Sequence, residues 1–429
     1  MTSQLVAVAS LLLGSAFLLI AGGLHGLLLP VRGAVEGFNL AELGLLGTSW
    51  SAGFIAGCIL IPAIVRRVGH VRSYGALASV SAVTILLNVL IISPEAWIAL
   101  RALSGFCFAG AAMVVESWLN ERASRENRGT IFSVYQMVNF TASTAGQLLL
   151  VIKPPSDFFF FAIGAIFYCL AILPTALSTA KTPQPLKSAR LDVRKLYATS
   201  PVGAVVSLLI GLVNGAFGTL GPVYAQRIGL EVQAIATLMS GALLGGSFIQ
   251  FPLGWVSDRT DRRRVLVAVA AGAAIIGITM ALLHPRAPMA VTTLTILFGA
   301  MIYPMYALTV AHANDFAAPD EFVKISSSLL LLYGIGTMFG PLAAAFAMER
   351  LAPEGLFAFT ASVHVIVVLY VVYRMSRRPT PDRVLRDSFQ VMPVTKTSTQ
   401  ELSSLDPRSG KAGAVVELEE VGAPPAGHE

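Results

Sequence analysis

Twelve long apolar runs follow one another along the chain, separated by short polar connections. A membrane-spanning helix needs about 20 apolar residues, so runs of this length can each cross a bilayer. This pattern predicts an all-α polytopic membrane protein with twelve transmembrane helices. The runs lie near residues 5–29, 43–65, 73–92, 95–119, 129–151, 157–178, 202–224, 233–256, 265–283, 288–313, 325–348 and 354–376.

The composition excludes an ordinary soluble domain. Apolar residues make up 55% of the 429 residues and charged residues only 13%, and the mean hydropathy is +0.72. Soluble chains carry about 25% charged residues. The formal charge of +6 is distributed loop by loop, which is typical of membrane topology and argues against a nucleic-acid-binding surface.

Motifs for enzymatic chemistry are missing from the sequence. It contains neither a GxxxxGK[ST] phosphate loop nor an HExxH pair. Its three cysteines, Cys58, Cys107 and Cys169, lie singly in apolar runs and form no CxxC pair. We therefore expect no cofactor, no metal site and no enzymatic activity.

Basic residues are concentrated in alternate connections. One set, which includes the loops at Arg66, Arg122, Lys187 and Arg259, carries sixteen arginines and lysines. Cytoplasmic loops of membrane proteins carry the excess of basic residues. We therefore expect a multi-pass protein of the inner (plasma) membrane with both termini in the cytoplasm. The opposite set carries five basic residues: Arg32, Lys153, Arg227, Arg286 and Arg350.

The longest internal polar stretch, residues 179–200, divides six apolar runs from six. It predicts a cytoplasmic linker between an N-terminal six-helix bundle, 1–178, and a C-terminal six-helix bundle, 201–376, related as parallel repeats. Residues 377–429 are rich in Arg, Pro, Ser, Thr and Glu. Such a segment buries too little apolar surface to fold alone, so we expect a disordered cytoplasmic tail.

The two halves show weak internal sequence similarity at an offset of 192 positions. The matched residues are mostly glycine and proline, which indicates that backbone geometry is repeated in the two bundles. The offset carries Gly26 onto Gly218, Pro30 onto Pro222, Gly37 onto Gly229, Gly53 onto Gly245 and Arg67 onto Arg259.

A small residue, an acid and an arginine cluster separate two apolar runs at residues 254–264. They resemble the motif in the loop between the second and third helices of each half in the major facilitator superfamily. The resemblance covers about residues 1–376 and implies a transporter fold. It also implies gating roles at the inner face for Gly254, Asp258, Arg259, Arg262 and Arg263, to which we add Asp315 at the end of the tenth run.

The motif departs from the family pattern at three positions. Asp261 stands where the family usually has glycine, and in the first half Pro62 and Arg66 occupy the glycine and acid positions. In the second half, Asp258 is expected to cap a helix N-terminus or to pair with a basic residue of a facing helix. The alternative is that the arginines and Asp258 only fix the topology.

The fourth run carries two ionisable residues, Arg101 and Glu116, on one helical face with Gly105. They lie about 22 Å apart at 1.5 Å per residue and cannot pair directly. The Arg101-xxx-Gly105 spacing is similar to the family's fourth-helix motif, whose arginine is associated with proton-coupled transport. This implies coupling roles for Arg101 and Glu116; alternatively, Arg101 extends towards the membrane interface.

Polar residues in other runs are candidates for a substrate cavity, because such groups rarely face lipid. Gln136, Asn139, Ser143 and Gln147 follow one narrow face of the fifth run. That stripe either lines a cavity or joins helices by hydrogen bonds. The further candidates for the cavity are His25 in the first run, Asn214 in the seventh and Tyr333 in the eleventh.

A finer resemblance rests on three segments. His25 to Arg32, residues 116–120, and the run from Tyr303 to Asp315 look like the YcaD-like bacterial branch of the superfamily. The resemblance implies a transporter and names no solute.

The sequence thus predicts a monomeric secondary active transporter that moves a small solute by alternating access. Proton coupling is expected because Arg101, Glu116, His25 and Asp315 are titratable and no sodium cage is evident. Few fixed charges at mid-span favour a neutral, amphipathic or weakly ionised solute. The alternative is a non-transporting membrane receptor or scaffold that signals through the C-terminal tail.

Overall fold

The structure is a computed structural model that describes residues 2–124, 126–177, 191–318, 321–379, 388–393 and 399–410, with side chains in the first helix from residue 8 onwards. Every regular element in these ranges is helical. The predicted all-α class is therefore confirmed.

The first six long helices pack as one group. The first packs against the fifth and sixth, the second against the fourth, and the third against the fourth and sixth. Each connection between them is short, as expected for neighbouring antiparallel helices. The helices are α1 (Thr2–Val35), α2 (Leu40–Val68), α3 (His70–Leu90), α4 (Pro94–Arg122), α5 (Arg128–Leu148) and α6 (Phe159–Ala176).

The second group begins after a short helix that lies in the predicted linker; the linker residues 179–190 are outside the described ranges. The predicted tenth span is divided at Tyr303, because Pro304 cannot donate a backbone hydrogen bond. The helices are α7 (Val193–Thr199), α8 (Pro201–Arg227), α9 (Val232–Arg259), α10 (Arg262–Leu283), α11 (Pro288–Ile302), α12 (Pro304–Asn314), α13 (Phe322–Arg350) and α14 (Gly355–Met375).

Eleven helical segments within the described residues are long and apolar enough to cross a membrane, with α11 and α12 counted as one. The fifth helix, α5, is 21 residues long but falls outside this set. Its polar stripe lowers its hydropathy, although it packs against α1 like its neighbours. With α5 included, the bundle has the twelve predicted spans.

Capping residues in the sequence mark the positions at which several helices begin in the structure. Asn39 and Glu42 form a capping box at the start of α2, with each side chain accepting a bond from the other's backbone. Ser93 and Ser200 cap α4 and α8, each directly before a proline at the first helical position.

The two halves repeat the same backbone features at the offset of 192 residues. Gly37 and Gly229 follow α1 and α8 with φ angles of 84° and 89°, a conformation that glycine adopts without strain. Gly26 and Gly218 both have open space where a Cβ atom would lie. The sequence repeat is therefore a structural repeat.

The halves touch each other directly at one end of the bundle. We call the end at which α1 begins and α14 finishes the inner face, and the opposite end the outer face. In the outer half, Thr48 of α2 donates to Met338 O at 2.7 Å and Ser51 donates to Thr337 O at 3.3 Å. Ser240 of α9 donates to Gln147 of α5 at 3.4 Å. The outer end is closed by these contacts.

Part of the predicted disordered tail is ordered in the structure. Residues 388–393 run extended between α5 and α9, and residues 399–410 include a short helix, α15 (Gln400–Leu405), on α4 and α13. We call these two segments the docked tail. The prediction failed here because the tail buries its side chains against the bundle instead of folding alone.

Glycine at one helix crossing is expected to be essential for stability. A Cβ atom on Gly105 of α4 would overlap the backbone carbonyl of Trp50 in α2, so Gly105→Ala should destabilise the protein by about 1 to 3 kcal/mol. Thermal unfolding in detergent measures the effect. Gly26→Ala is the control, because that position is open; an equal loss in both variants would contradict the close crossing.

Candidate substrate cavity and inner gate

A cavity lies at the centre of the bundle and is lined from both halves. Its empty space, including the part open to solvent, is ≈ 1080 Å³. The paired glycines Gly26 and Gly218 face it from α1 and α8. Aromatic rings form much of the wall: Trp50, Phe108, Tyr168, Tyr303 and Tyr333.

Of the described residues that line the cavity, one is a cation and none is a carboxylate. Arg101 of α4 is 8% exposed, and its guanidinium carbon lies 5.8 Å from the centre of the Trp50 ring. Among the described residues no acidic side chain forms an ion pair with Arg101, and its Nε has no hydrogen-bond partner. A buried cation without an anion is costly. The positive charge of Arg101 therefore favours the binding of a negatively charged group in the cavity.

Hydrogen bonds fix part of the opposite wall. Asn214 of α8 donates to the hydroxyl of Tyr333 at 3.1 Å, and the rings of Tyr306 and Tyr333 lie 4.6 Å apart. The carbonyl oxygen of the Asn214 side chain has no partner among the described residues. It is a buried acceptor on a residue that lines the cavity.

The predicted cavity residues divide into two groups. Ser143, Asn214 and Tyr333 line the cavity, as does Arg101. We expected His25, Asn139 and Gln136 to line it as well, but they lie outside this lining.

The α5 stripe is too long for a single site. Gln136 and Gln147 are about 16 Å apart along the axis, so the outer members reach the cavity and Gln136 reaches the docked tail. Asn139 is buried and donates to Tyr135 O, four residues earlier, at 3.1 Å. The two explanations of the stripe, cavity lining and hydrogen bonding between elements, each hold for part of it.

His25 lies behind the cavity wall. Its Nε2 is 3.2 Å from the side-chain oxygen of Asn88, and its Nδ1 is 3.5 Å from the hydroxyl of Tyr168, which faces the cavity. This histidine holds a wall residue in place and does not itself reach the open space.

Glu116 lies near the inner end of α4, far from the cavity. Its side chain accepts hydrogen bonds from the hydroxyl of Tyr135 at 3.1 Å and from the hydroxyl of Thr399 in the docked tail. The residue is 1% exposed and has no cationic partner among the described side chains. Thus neither Arg101 nor Glu116 forms an ion pair with an oppositely charged side chain among the described residues.

The arginine motif at the inner face forms a buried ion cluster within the second half. Arg262 is bonded to Asp315 of α12 at 2.8 Å, to Asp258 at 3.0 Å and to Ser257 at 3.1 Å. The cluster joins α9, α10 and α12. We expected Asp258 to cap a helix N-terminus or to pair with a basic residue of a facing helix. Its basic partner among the described residues is instead Arg262, four residues later, at the start of the next helix of the same half.

Other members of the motif have different neighbours. Arg259 lies on the Trp255 ring at 3.9 Å, and Arg263 binds Asp261 at 2.8 Å and Arg378 O at 2.7 Å. Gly254 lies against the Phe389 ring of the docked tail, with no room for a Cβ atom.

Sequence reasoning missed two groups of residues. Gln250, a fully buried amide in α9, binds the docked tail. Its signal was a single amide within an apolar run. Trp50 and Tyr168 were missed because an aromatic residue in an apolar run has the same pattern whether it faces a cavity or packs in the core.

Twelve helices in two repeats around a central cavity define a multi-pass membrane transporter. The chain belongs to the Major Facilitator Superfamily, whose family model matches residues 11–305 and 203–405. Within it, the chain is similar to transporters of the YcaD type. The MFS-type transporter YcaD of Escherichia fergusonii is 28% identical over 366 residues, which are 84% of this chain and 94% of that protein.

Solved structures share the fold. The nucleoside transporter NupG has a TM-score of 0.73 at 13% identity, covering 87% of this chain and 100% of that one. A bacterial homologue of the human lysosomal transporter Spinster, in an inward-facing and occupied conformation, has a TM-score of 0.70 at 15% identity. That match covers 89% of this chain and 98% of the homologue. The family model and the MFS-type relatives do not favour the receptor or scaffold alternative.

The ion cluster should contribute to stability through Asp315. Asp315→Asn removes a partner of Arg262 where both side chains are at most 3% exposed, so we expect a loss of about 3 kcal/mol in thermal unfolding. The control is Asp157→Asn, whose pair with Lys153 is 38–46% exposed, so its loss should change the unfolding temperature little. Equal small losses would show that the buried pair is unimportant.

Proposed function

We propose that this protein is a proton-coupled secondary transporter of the bacterial inner membrane, with both termini in the cytoplasm. The excess of basic residues at the inner face supports this orientation. The observation that carries the proposal is the central cavity, which both halves line and in which Arg101 is the one charged side chain among the described wall residues. Rocking of the halves would expose that cavity to each side in turn.

The substrate class that fits the cavity is a small organic anion with an aromatic or apolar body. Arg101 supplies a forked cationic donor without an acidic partner among the described residues, and such a group binds a carboxylate or phosphate strongly. The rings of Trp50 and Tyr303 offer flat apolar contact. This narrows the sequence expectation of a neutral, amphipathic or weakly ionised solute to a weak acid.

Proton coupling is assigned to Glu116. A carboxyl group in a membrane span is costly when charged. Among the described residues, the donors that reach Glu116 are the neutral hydroxyl and amide groups of Tyr135, Thr399 and Leu402. It is therefore suited to bind and release a proton as its surroundings change. In this role Arg101 binds the solute, while Glu116 carries the proton.

Solute binding should depend on Arg101. Addition of a small aromatic acid at a hundredfold its dissociation constant should stabilise the folded protein by about 2.7 kcal/mol. Arg101→Gln should weaken that binding at least about tenfold, because a charge-assisted hydrogen bond is lost. Thermal unfolding against a library of organic acids and their neutral amides measures both effects.

Arg227→Gln is the matched control, since Arg227 is exposed at the outer end of α8. A library in which neutral amides stabilise the protein as well as the acids do, with no loss in Arg101→Gln, would exclude the anion assignment.

Proton movement should depend on Glu116. In proteoliposomes, Glu116→Gln should abolish solute-driven proton movement while solute exchange across the membrane continues, because the cavity is unchanged. Glu121→Gln is the control, an exposed acid at the inner end of the same helix. Wild-type proton movement in Glu116→Gln would refute the assignment.

A further inference from the structure

We infer that the cytoplasmic mouth between the two halves is a binding site for the protein's own C-terminal segment, and that the docked tail holds the transporter inward-facing and blocked. The inhibition rests on the proposed transport function; the binding site does not. Three sets of contacts carry the inference: backbone bonds of the extended segment, burial of the tail helix, and anchoring of its end.

The extended segment is held through its backbone by polar side chains of both halves. Gln250 of α9 forms two bonds to Met392, accepting from its N–H at 3.0 Å and donating to its carbonyl at 3.2 Å. Gln136 of α5 donates to Val391 O at 3.3 Å. The paired donor and acceptor of Gln250 match an extended backbone, as in the addition of a peptide strand. The site therefore recognises a peptide in a defined register.

The segment also binds the acid of the arginine motif. The backbone N–H of Phe389 donates to the two carboxylate oxygens of Asp258 at 3.0 and 3.2 Å. The Phe389 ring covers Gly254, one helical turn before Asp258. The Oδ1 atom of Asp258 thus accepts from the tail and from Arg262 at the same time.

The tail helix closes the opposite side of the mouth. α15 packs against α4 of the first half and α13 of the second. Leu402 and Leu405 are buried there, and burial raises the pKa of the Glu401 carboxyl to about 7. Thr399, which is fully buried, donates to the carboxylate of Glu116. The acid that we assign to proton coupling is therefore bound by the tail.

The end of the docked tail is anchored to both halves. The guanidinium of Arg408 binds Asp406 at 2.7 Å and lies 5.2 Å from the ring centre of Phe322 at the start of α13. Arg128, at the start of α5, donates to the hydroxyl of Ser409 at 3.2 Å. Asp406 and Arg408 are at most 4% exposed, so this end is inserted and does not rest on the surface.

Blockage follows from where the halves touch. The α2–α13 and α5–α9 hydrogen bonds named above lie in the outer half, whereas α5 and α9 are bridged by the tail in the inner half. For the inner ends to close and the outer ends to open, the tail must leave. While it is bound between the inner ends, the halves cannot rock.

Hydrogen–deuterium exchange of the full-length protein tests the binding site without a substrate. The amides of Phe389 and Met392 should be protected, and Gln250→Ala should raise their exchange rates about tenfold or more because two hydrogen bonds are lost. Gln233→Ala, an exposed glutamine at the outer end of the same helix, should exchange like wild type. Free-peptide exchange rates in the wild-type protein would overturn the inference.

Distances between the inner ends test the blockage. Spin labels at Glu126→Cys and Arg264→Cys, in a chain whose native cysteines are replaced by alanine, should give one long distance in the full-length protein. Deletion of 388–429 should add a population of shorter distances, and a peptide of residues 388–410 should remove it. If the protein that lacks residues 388–429 does not fold, Gln250→Ala is used instead and should show the same population of shorter distances.

Uptake measured on the same variants separates the two proposals. Faster uptake after release of the tail supports inhibition. Shifted distances without uptake of any solute would leave the tail site standing and refute the transport function. Unchanged distances in both the deletion and Gln250→Ala would overturn the blockage.

Discussion

The requirement that polar groups find partners inside the bilayer determines where function can lie in this protein. A helix crossing hydrocarbon satisfies its own backbone, but a side-chain amide, carboxylate or guanidinium must find a partner or a cavity. Most buried polar groups here have one: His25 has Asn88, and Arg262 has Asp315. The exceptions are informative. Arg101 has no acid and Glu116 has no cation among the described residues, so each is suited to a partner that arrives during transport.

The packing of the helices depends on where the glycines lie. Glycines at the helix crossings allow the backbones to approach, as Gly105 does against Trp50 O. The repeated glycines Gly26 and Gly218 instead leave space open at the centre. One residue type therefore serves both to close the bundle and to form its cavity. The difference depends on which face of the helix carries the glycine.

The sequence was sufficient for the fold and for part of the site. Apolar runs, basic loops and the offset of 192 residues predicted twelve helices in two repeats, because these features follow directly from bilayer thickness and chain symmetry. Asn214 and Tyr333 were found because a polar group within an apolar run is rare. His25 and Asn139 satisfy the same rule but bind neighbours in the bundle, and helical periodicity alone cannot separate a cavity from a buried hydrogen bond.

The order of the docked tail could not be predicted from the sequence, for a different reason. Its composition is that of a disordered segment, and composition reports only whether a segment can fold on its own. The tail is ordered by acceptors and donors that the bundle already contains: Asp258, Gln250 and Glu116.

Each of those three residues lies on a transmembrane helix, and two of them are acids to which transport chemistry assigns other partners. The Glu116 oxygen that accepts from Thr399 belongs to the group that we propose to carry the proton, so docking would compete with proton binding there. At Asp258 the tail adds a partner beside Arg262 and would hold that carboxylate in its present arrangement. In this way a tail without a fold of its own would control the proposed transport cycle, by occupying groups that the cycle needs.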